Sequence, residues 1–477
     1  MATAAGCAQS FAVGQDGTLL VWGRGANGRL GLGDTSDRCV PTPLPGMPAP
    51  VRQVAAGRGH TGIVTDGGDL LMFGEGGLGQ LGLGDDADRV TATLLDRSLF
   101  DGDAVLMVTC GRDHTAVLTD GGCVLTFGWG VHGQLGHDST EDNPMPTRIP
   151  AARFNDERVV MLAAAAQHTV ALSAEGHVFT WGYGAHGQLG HNDREVRLVP
   201  RLVDPGRFSG ENVVFVATRG QHTSAVTAEG RLYTWGWGKE GQLGQGDTDD
   251  RLVPTLVDAG AFGGSRAVMA ACGGFHTLVV CVDGVLWASG HGRSGQLGLN
   301  DRMCRLTFAR VGSDNFAGAR IVAATAGFGH SAALTEDGEL WTWGSGDNGR
   351  LGHGDEDSRL VPTMVTGSGF EGVRIGRCRA LPKEHALAFA MGTHPRLGAA
   401  AGAHCNELKE ELVGMIARLS LAWPAGRAGA EEGMVRLLGG GAEVGRAMRA
   451  WPVMTLKPKV ASLSSRTPVQ TAKPCKP

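Results

Sequence analysis

Residues 181–190 read Trp-Gly-Tyr-Gly-Ala-His-Gly-Gln-Leu-Gly. Gly182, Gly184 and Gly187 spell G-x-G-x-x-G, a spacing that lets a backbone turn close around a pyrophosphate. Val178, Phe179 and Thr180 before it read as a strand. Such a turn binds a dinucleotide when a helix follows, with an acid about 20 residues on that reads the ribose. Here a polar loop follows, Gln188-Leu189-Gly190-His191-Asn192-Asp193, and then a proline-bearing strand. Three other sets could do chemistry. His60, His114, His168, His222, His276 and His330 could act as bases, but no serine or cysteine recurs beside them as a nucleophile. His132, His137, His186 and His191 could ligate a metal, but lack a third ligand type at fitting spacing. Asp–Arg pairs four residues apart, from Asp34 and Arg38 to Asp355 and Arg359, could hold an anion or tie their own loop.

Periodicity decides among these readings. The glycine motif begins at Gly23, Gly74, Gly128, Gly182, Gly236, Gly290 and Gly344, the first gap being 51 residues and the other five 54. Seven identical cofactor sites are implausible, so no cofactor is expected and the glycines read as turn residues. The six histidines keep the same phase, with Gln9 at that place in the first unit. A residue present in every unit serves every unit, so buried His–Thr pairs bonded to neighbouring backbone are expected. The Asp–Arg pairs read as loop ties; the third unit departs from them with Ser139 and Asn143.

The units read as strands. In the fourth, residues 159–162, 168–172, 177–181 and 198–203 are four short strands, with an acidic-glycine hairpin turn at Glu175-Gly176. The matching turns include Asp66-Gly67 and Asp120-Gly121. Four strands per unit, seven times over, predict an all-β, seven-bladed β-propeller over residues 1–391. Glycine at 77 of 477 residues agrees with so many tight turns. A half-unit at residues 373–389, with His385 in phase, is expected to close the ring by completing a blade begun at the N-terminus, although residues 4–13 resemble the same half-unit.

The pattern G-x-x-H-T…[DE]-G…[FYW]-x-[WF]-G-x-G-x-x-G-Q-L-G resembles the repeat of the regulator of chromosome condensation family. Residues 268–298 and 322–352 carry it well, and the resemblance covers about residues 1–391. It implies a seven-bladed propeller, a scaffold that hosts several functions. The family's nucleotide-exchange members work on a small GTPase through a wedge inserted within the repeats. The constant 54-residue spacing leaves no room for one, and the basic chromatin-binding arm is missing. Its ultraviolet-B-sensing members use tryptophans that would fall at Arg58, Arg112, Ala166, Gly220, Gly274 and Phe328, so that role is disfavoured. A non-catalytic interaction scaffold with a regulatory role is the expected function.

Function in a repeat protein lies where the units differ. The first variable residue of the glycine motif is Arg24, Glu75, Trp129, Tyr183, Trp237, His291 and Ser345 in turn. Three consecutive units thus place Trp129, Tyr183 and Trp237 on equivalent loops, where they should stand side by side as an interface anchor. His132, His186, Lys239 and Glu240 would form the polar rim. Residues 1–391 carry 31 basic and 42 acidic residues, net −11. That balance argues against nucleic acid and allows a basic protein partner, with a small GTPase as the alternative; a monomer and a homodimer remain open. Residues 392–456 show a helical stripe from Leu408 to Leu419, and residues 457–477 are basic, proline-bearing and expected to be disordered. Ten cysteines without a C-x-x-C pair, a non-basic N-terminus and no long apolar run predict an intracellular protein, cytoplasmic or nuclear, with buried thiols and no membrane segment.

Overall fold

The computed structural model describes residues 3–366. Within them lie seven antiparallel sheets of four strands, each sheet built from consecutive strands. Blade 1 runs from residue 3 to 43, and blades 2 to 7 cover residues 51–94, 105–149, 159–202, 213–256, 267–310 and 321–364. In the fourth blade the strands are Val159–Ala164, His168–Ser173, Val178–Gly182 and Arg197–Leu202. These sit within two residues of the ranges read from the sequence.

The second and third strands of most blades are wholly buried, because each blade is covered on both faces by its neighbours. Apolar side chains from adjacent blades meet in a layer at every interface. One such layer joins Leu278 and Leu286 of blade 6 to Trp341 and Trp343 of blade 7. Another joins Leu334 and Leu340 of blade 7 to Leu20 and Trp22 of blade 1. That last layer closes the ring, so that blade 7 covers blade 1 as each other blade covers its neighbour.

The seam differs from the expectation. Thr3–Ala5 and Gln9–Val13 are the two inner strands of blade 1, paired Ala4 to Phe11. The place foreseen for residues 373–389 is therefore held by the N-terminus. Residues 373–389, His385 and both C-terminal segments lie outside the described residues.

Three details sharpen the sequence reading. In blades 2 and 3 the left-handed turn residues are Gly68 and Gly122, one position after Gly67 and Gly121. Between blades, short 3-10 turns such as Arg97–Phe100 and Pro205–Phe208 bury a phenylalanine under the next sheet. Phe100, Phe154, Phe208, Phe262 and Phe316 recur in phase with the blades, a period overlooked in the sequence. The connection after blade 1 lacks this turn, which accounts for the one short spacing. Of the described cysteines, Cys110, Cys272 and Cys281 are buried while Cys7, Cys39, Cys123 and Cys304 are half-buried; all are free thiols. No helix among the described residues is long and apolar enough to cross a membrane.

Candidate protein-binding face

The repeated groups are consumed inside the ring. Each histidine Nε2 meets a hydroxyl of the next blade: His60 to Thr115 at 3.0 Å, His114 to Thr169 at 2.9 Å and His168 to Thr223 at 3.0 Å. His222 meets Thr277, His276 meets Ser331 and His330 meets Ser10, all at 2.9 Å. The hydroxyl proton is already given to a carbonyl, as from Thr115 to Gln80 O at 2.8 Å and from Ser10 to Arg350 O at 2.8 Å. The imidazole must then donate through Nε2, which fixes its tautomer. Burial holds His60, His114, His168, His222 and His276 down at about 3, and His330 well below its ordinary value. These rings are neutral and sealed from solvent.

The glycine fingerprint has an equally internal explanation. Gly182 has φ +104°, and a Cβ there would lie 2.5 Å from Gln167 O. Gly187 has φ +79°, and a Cβ would meet Leu252 Cα of the next blade at 2.6 Å. Gly184 would meet Glu195 O at 2.1 Å. The three glycines let loop and neighbouring backbones touch, with no space left for a phosphate.

The Asp–Arg pairs tie their own loops. Arg38 reaches Asp34 at 2.6 Å and Arg251 reaches Asp247 at 2.6 Å, while the other oxygen of each acid accepts an N–H two residues on. Ser139 of blade 3 keeps that turn by accepting from Glu141 N, without the ion pair. His137 and His191 contact Thr126 and Thr180 of their own blades at 2.8 and 2.9 Å, apart from His132 and His186. Among the described residues no His/Cys/Asp/Glu group is arranged to hold a metal.

The variable residues do converge. Loops between first and second strands share one face of the ring with loops between third and fourth strands. Backbone hydrogen bonds of 2.9 Å join them, from Trp129 N to Asp113 O, Tyr183 N to Gln167 O and Trp237 N to Gln221 O. On this face the rings run as an arc. Trp129 packs edge-on against His132 at 5.0 Å, and His132 lies 5.0 Å from Tyr183. Tyr183 is 6.3 Å from His186, which is 6.1 Å from Trp237. Trp237 continues to Phe275 at 5.3 Å, and Phe275 to Phe328 at 4.9 Å and His291 at 6.2 Å.

The arc thus extends from blade 3 to blade 7, two blades beyond the three aromatics picked from the sequence. Phe275 and Phe328 belong to the loops next to the periodic histidines, and their variability was the available signal. Trp129, Tyr183, Trp237 and Phe275 are half-buried, and Phe328 is 47% exposed. His132 accepts from the Gln167 amide at 2.8 Å, and burial lowers its pKa. His186 Nδ1 is 3.5 Å from Asp250. Lys239 is exposed and Glu240 half-buried on the loop of Trp237. Across the face, blades 2 and 3 carry a charged network in which Arg58 bonds Asp113 at 2.9 Å and Glu75 at 3.1 Å, and Arg112 bonds Asp113 at 3.2 Å.

Residues 100–388 match the RCC1-like domain, and residues 16–64 and 67–118 match the regulator of chromosome condensation (RCC1) repeat. The chain belongs to the regulator of chromosome condensation family. Its relatives in that family include the Ultraviolet-B receptor UVR8 of Arabidopsis thaliana, 34% identical over 372 residues, 77% of this chain and 82% of the receptor. The mouse secretion-regulating guanine nucleotide exchange factor is 31% identical over 369 residues, 73% of this chain and 78% of that protein. Among solved structures, human WBSCR16 superposes with a TM-score of 0.66 at 27% identity, over 73% of this chain and 94% of that one.

Proposed function

We propose that this RCC1-type propeller is a non-catalytic interaction module that holds a protein partner against the aromatic arc. The observation that carries the reading is the continuity of half-exposed rings across blade boundaries, from Trp129 to Phe328. Rings that merely covered their own blades would have no reason to meet those of the neighbour. Such contiguous aromatic surface is a binding anchor in other interfaces. His132, His186, Lys239 and Glu240 supply its polar rim. The recurring histidines, glycines and Asp–Arg pairs are engaged internally, which leaves them no role in turnover.

The test is affinity capture from native cells with the chain and its Trp129→Ala/Trp237→Ala double variant. Each buried aromatic anchor is worth about 2 kcal/mol or more at an interface. The double variant should therefore lose its partners while keeping its thermal transition; unchanged capture sinks the reading.

A second reading, nucleotide exchange on a small GTPase, is favoured by the similarity to the secretion-regulating exchange factor over 73% of the chain. Against it, every blade of residues 3–366 has four strands and no extra hairpin. Nucleotide-release assays on Ran-type and Rab-type GTPases decide it. A light-sensing role is not proposed, because the loops around the axis carry Cys7, Arg58, Arg112, Ala166, Gly220, Gly274 and Phe328 rather than tryptophan.

A further inference from the structure

The loops between first and second strands form a closed ring of backbone hydrogen bonds around the axis. Cys7 N donates to Gly57 O, Arg58 N to Arg112 O, Arg112 N to Ala165 O and Ala166 N to Arg219 O. Gly220 N then donates to Gly273 O, Gly274 N to Gly327 O and Phe328 N to Gly6 O, which returns to blade 1. Arg219 stands in this ring at blade 5. Two residues on in the same loop, the Gln221 carbonyl holds Trp237.

Of the arginines near this ring, Arg24 is exposed to solvent and the others but one are engaged. Arg29 donates to Ala26 O at 2.7 Å and to Arg58 O at 2.9 Å, and Arg350 to Asp347 O at 2.7 Å. Arg58 and Arg112 share Asp113, and Arg58 also takes Glu75. Arg219 is different. Its side chain is half-buried, and no hydrogen bond or ion pair of that side chain occurs among the described residues. Burial is the main cause that lowers His276 and His330, and Arg219 adds a smaller contribution to each. Its backbone is part of the axial ring and its loop is the one that holds Trp237, so Arg219 stands on the axial side of the aromatic arc.

A partner seated on the arc covers this cation. Burying a guanidinium without a counter-ion costs several kcal/mol, so the surface selects a partner that brings one. A planar carboxylate matches the guanidinium fork with two hydrogen bonds. Arg58 and Arg112 are taken by Asp113 and Glu75, and Arg29 and Arg350 by backbone carbonyls, so one carboxylate matches the single half-buried free cation. We propose that the arc binds a protein segment that combines apolar side chains with an acidic residue, whose carboxylate pairs with Arg219 on the axial side of the arc. This rests on the interaction reading above and names the chemistry of its partner. It departs from the basic partner suggested by the net charge of −11, because that charge is a sum over the whole propeller and not a property of this face.

The probe is a fluorescein-labelled pool of random peptides built from Leu, Phe, Gly, Ser and Glu. Matched pools replace Glu with Gln, with Lys or with phosphoserine. Anisotropy titrations use the full chain. The Glu pool should bind at least about tenfold more tightly than the Gln pool. Arg219→Gln should erase that difference without weakening the Gln pool, and Arg219→Glu should turn the preference towards the Lys pool. Equal binding of the Glu and Gln pools by the unaltered chain overturns the inference, as does stronger binding of the phosphoserine pool or no binding below about 100 µM. The Trp129→Ala/Trp237→Ala variant separates the two ideas. If it loses every pool while Arg219→Gln keeps its Glu preference, the arc stands and the role of Arg219 falls. If it binds as the unaltered chain does, the arc reading falls instead.

Discussion

The buried histidine recurs in six of the seven blades, and its energetics follow from burial beside hydroxyls that already donate elsewhere. Thr223 gives its proton to Gln188 O and Thr218 gives its own to His222 O, so His168 Nε2–H is the donor to both, while burial keeps the ring neutral. The folded state holds His168 at about 3, against an ordinary value of 6.5. Below pH 6.5 the unfolded chain binds the proton and the folded state refuses it. Stability is therefore complete above pH 6.5 and is lost as the pH falls towards 3. Each such histidine withdraws about 2 kcal/mol between pH 7 and pH 5. His60, His114, His222 and His276 act in the same direction. Urea midpoints should drop steeply between pH 7 and pH 5; a flat profile would refute the neutral-ring assignment. Blade 1 supplies the control, since Gln9 stands at this place and donates to Gly57 O at 3.2 Å. His168→Gln should cost less at pH 7 than His168→Ala, and should flatten part of the pH dependence.

At the scale of the blade, closure is decided at the seam. Blades 7 and 1 meet without continuous chain among the described residues, so side chains must do there what connections do elsewhere. Ser10 accepts from His330 and donates to Arg350 O, and Trp22 Nε1 donates to the same carbonyl at 3.0 Å. Ser10→Ala removes both hydroxyl bonds and strands a buried imidazole N–H, a loss of about 1–3 kcal/mol. Ser10→Thr should be nearly silent, since Thr115, Thr169 and Thr223 fill this place in other blades. Calorimetry of the two variants checks the pair; equal melting would show that the seam hydroxyl carries no load. The seam also marks where sequence reasoning stopped. Strands, turns and the His–Thr pairing were legible because they recur, and recurrence averages out local ambiguity. Residues 4–13 and 373–389 carry the same pattern, and only pairing in space says which is used. The arc was half legible for the same reason. Trp129, Tyr183 and Trp237 share one position of one motif, whereas Phe275 and Phe328 come from another loop that meets them only in the folded ring.

Over the described residues the chain is a one-dimensional array bent until its first and last blades meet. In an open solenoid each repeat leans on two neighbours except at the ends, so unfolding frays inward from the caps. Here the apolar layer of Leu334, Leu340, Leu20 and Trp22 gives the terminal blades the same two neighbours as any other. The histidine relay closes in the same way, and so does the backbone ring from Phe328 to Gly6. No blade is then a preferred starting point for unfolding. Loss of one blade exposes two apolar faces at once and removes the closure that the other six share. The ring should therefore unfold in one cooperative transition. Trp22, Trp181, Trp235 and Trp343 are fully buried reporters in blades 1, 4, 5 and 7, so fluorescence samples both the seam and the far side of the ring. Urea unfolding followed by tryptophan emission and by far-ultraviolet circular dichroism should give coincident curves. Ser10→Ala at the seam and His168→Ala far from it should shift both curves together. Two separated transitions, or a seam variant that releases only part of the fluorescence change, would show instead that the ring behaves as an open array whose ends fray.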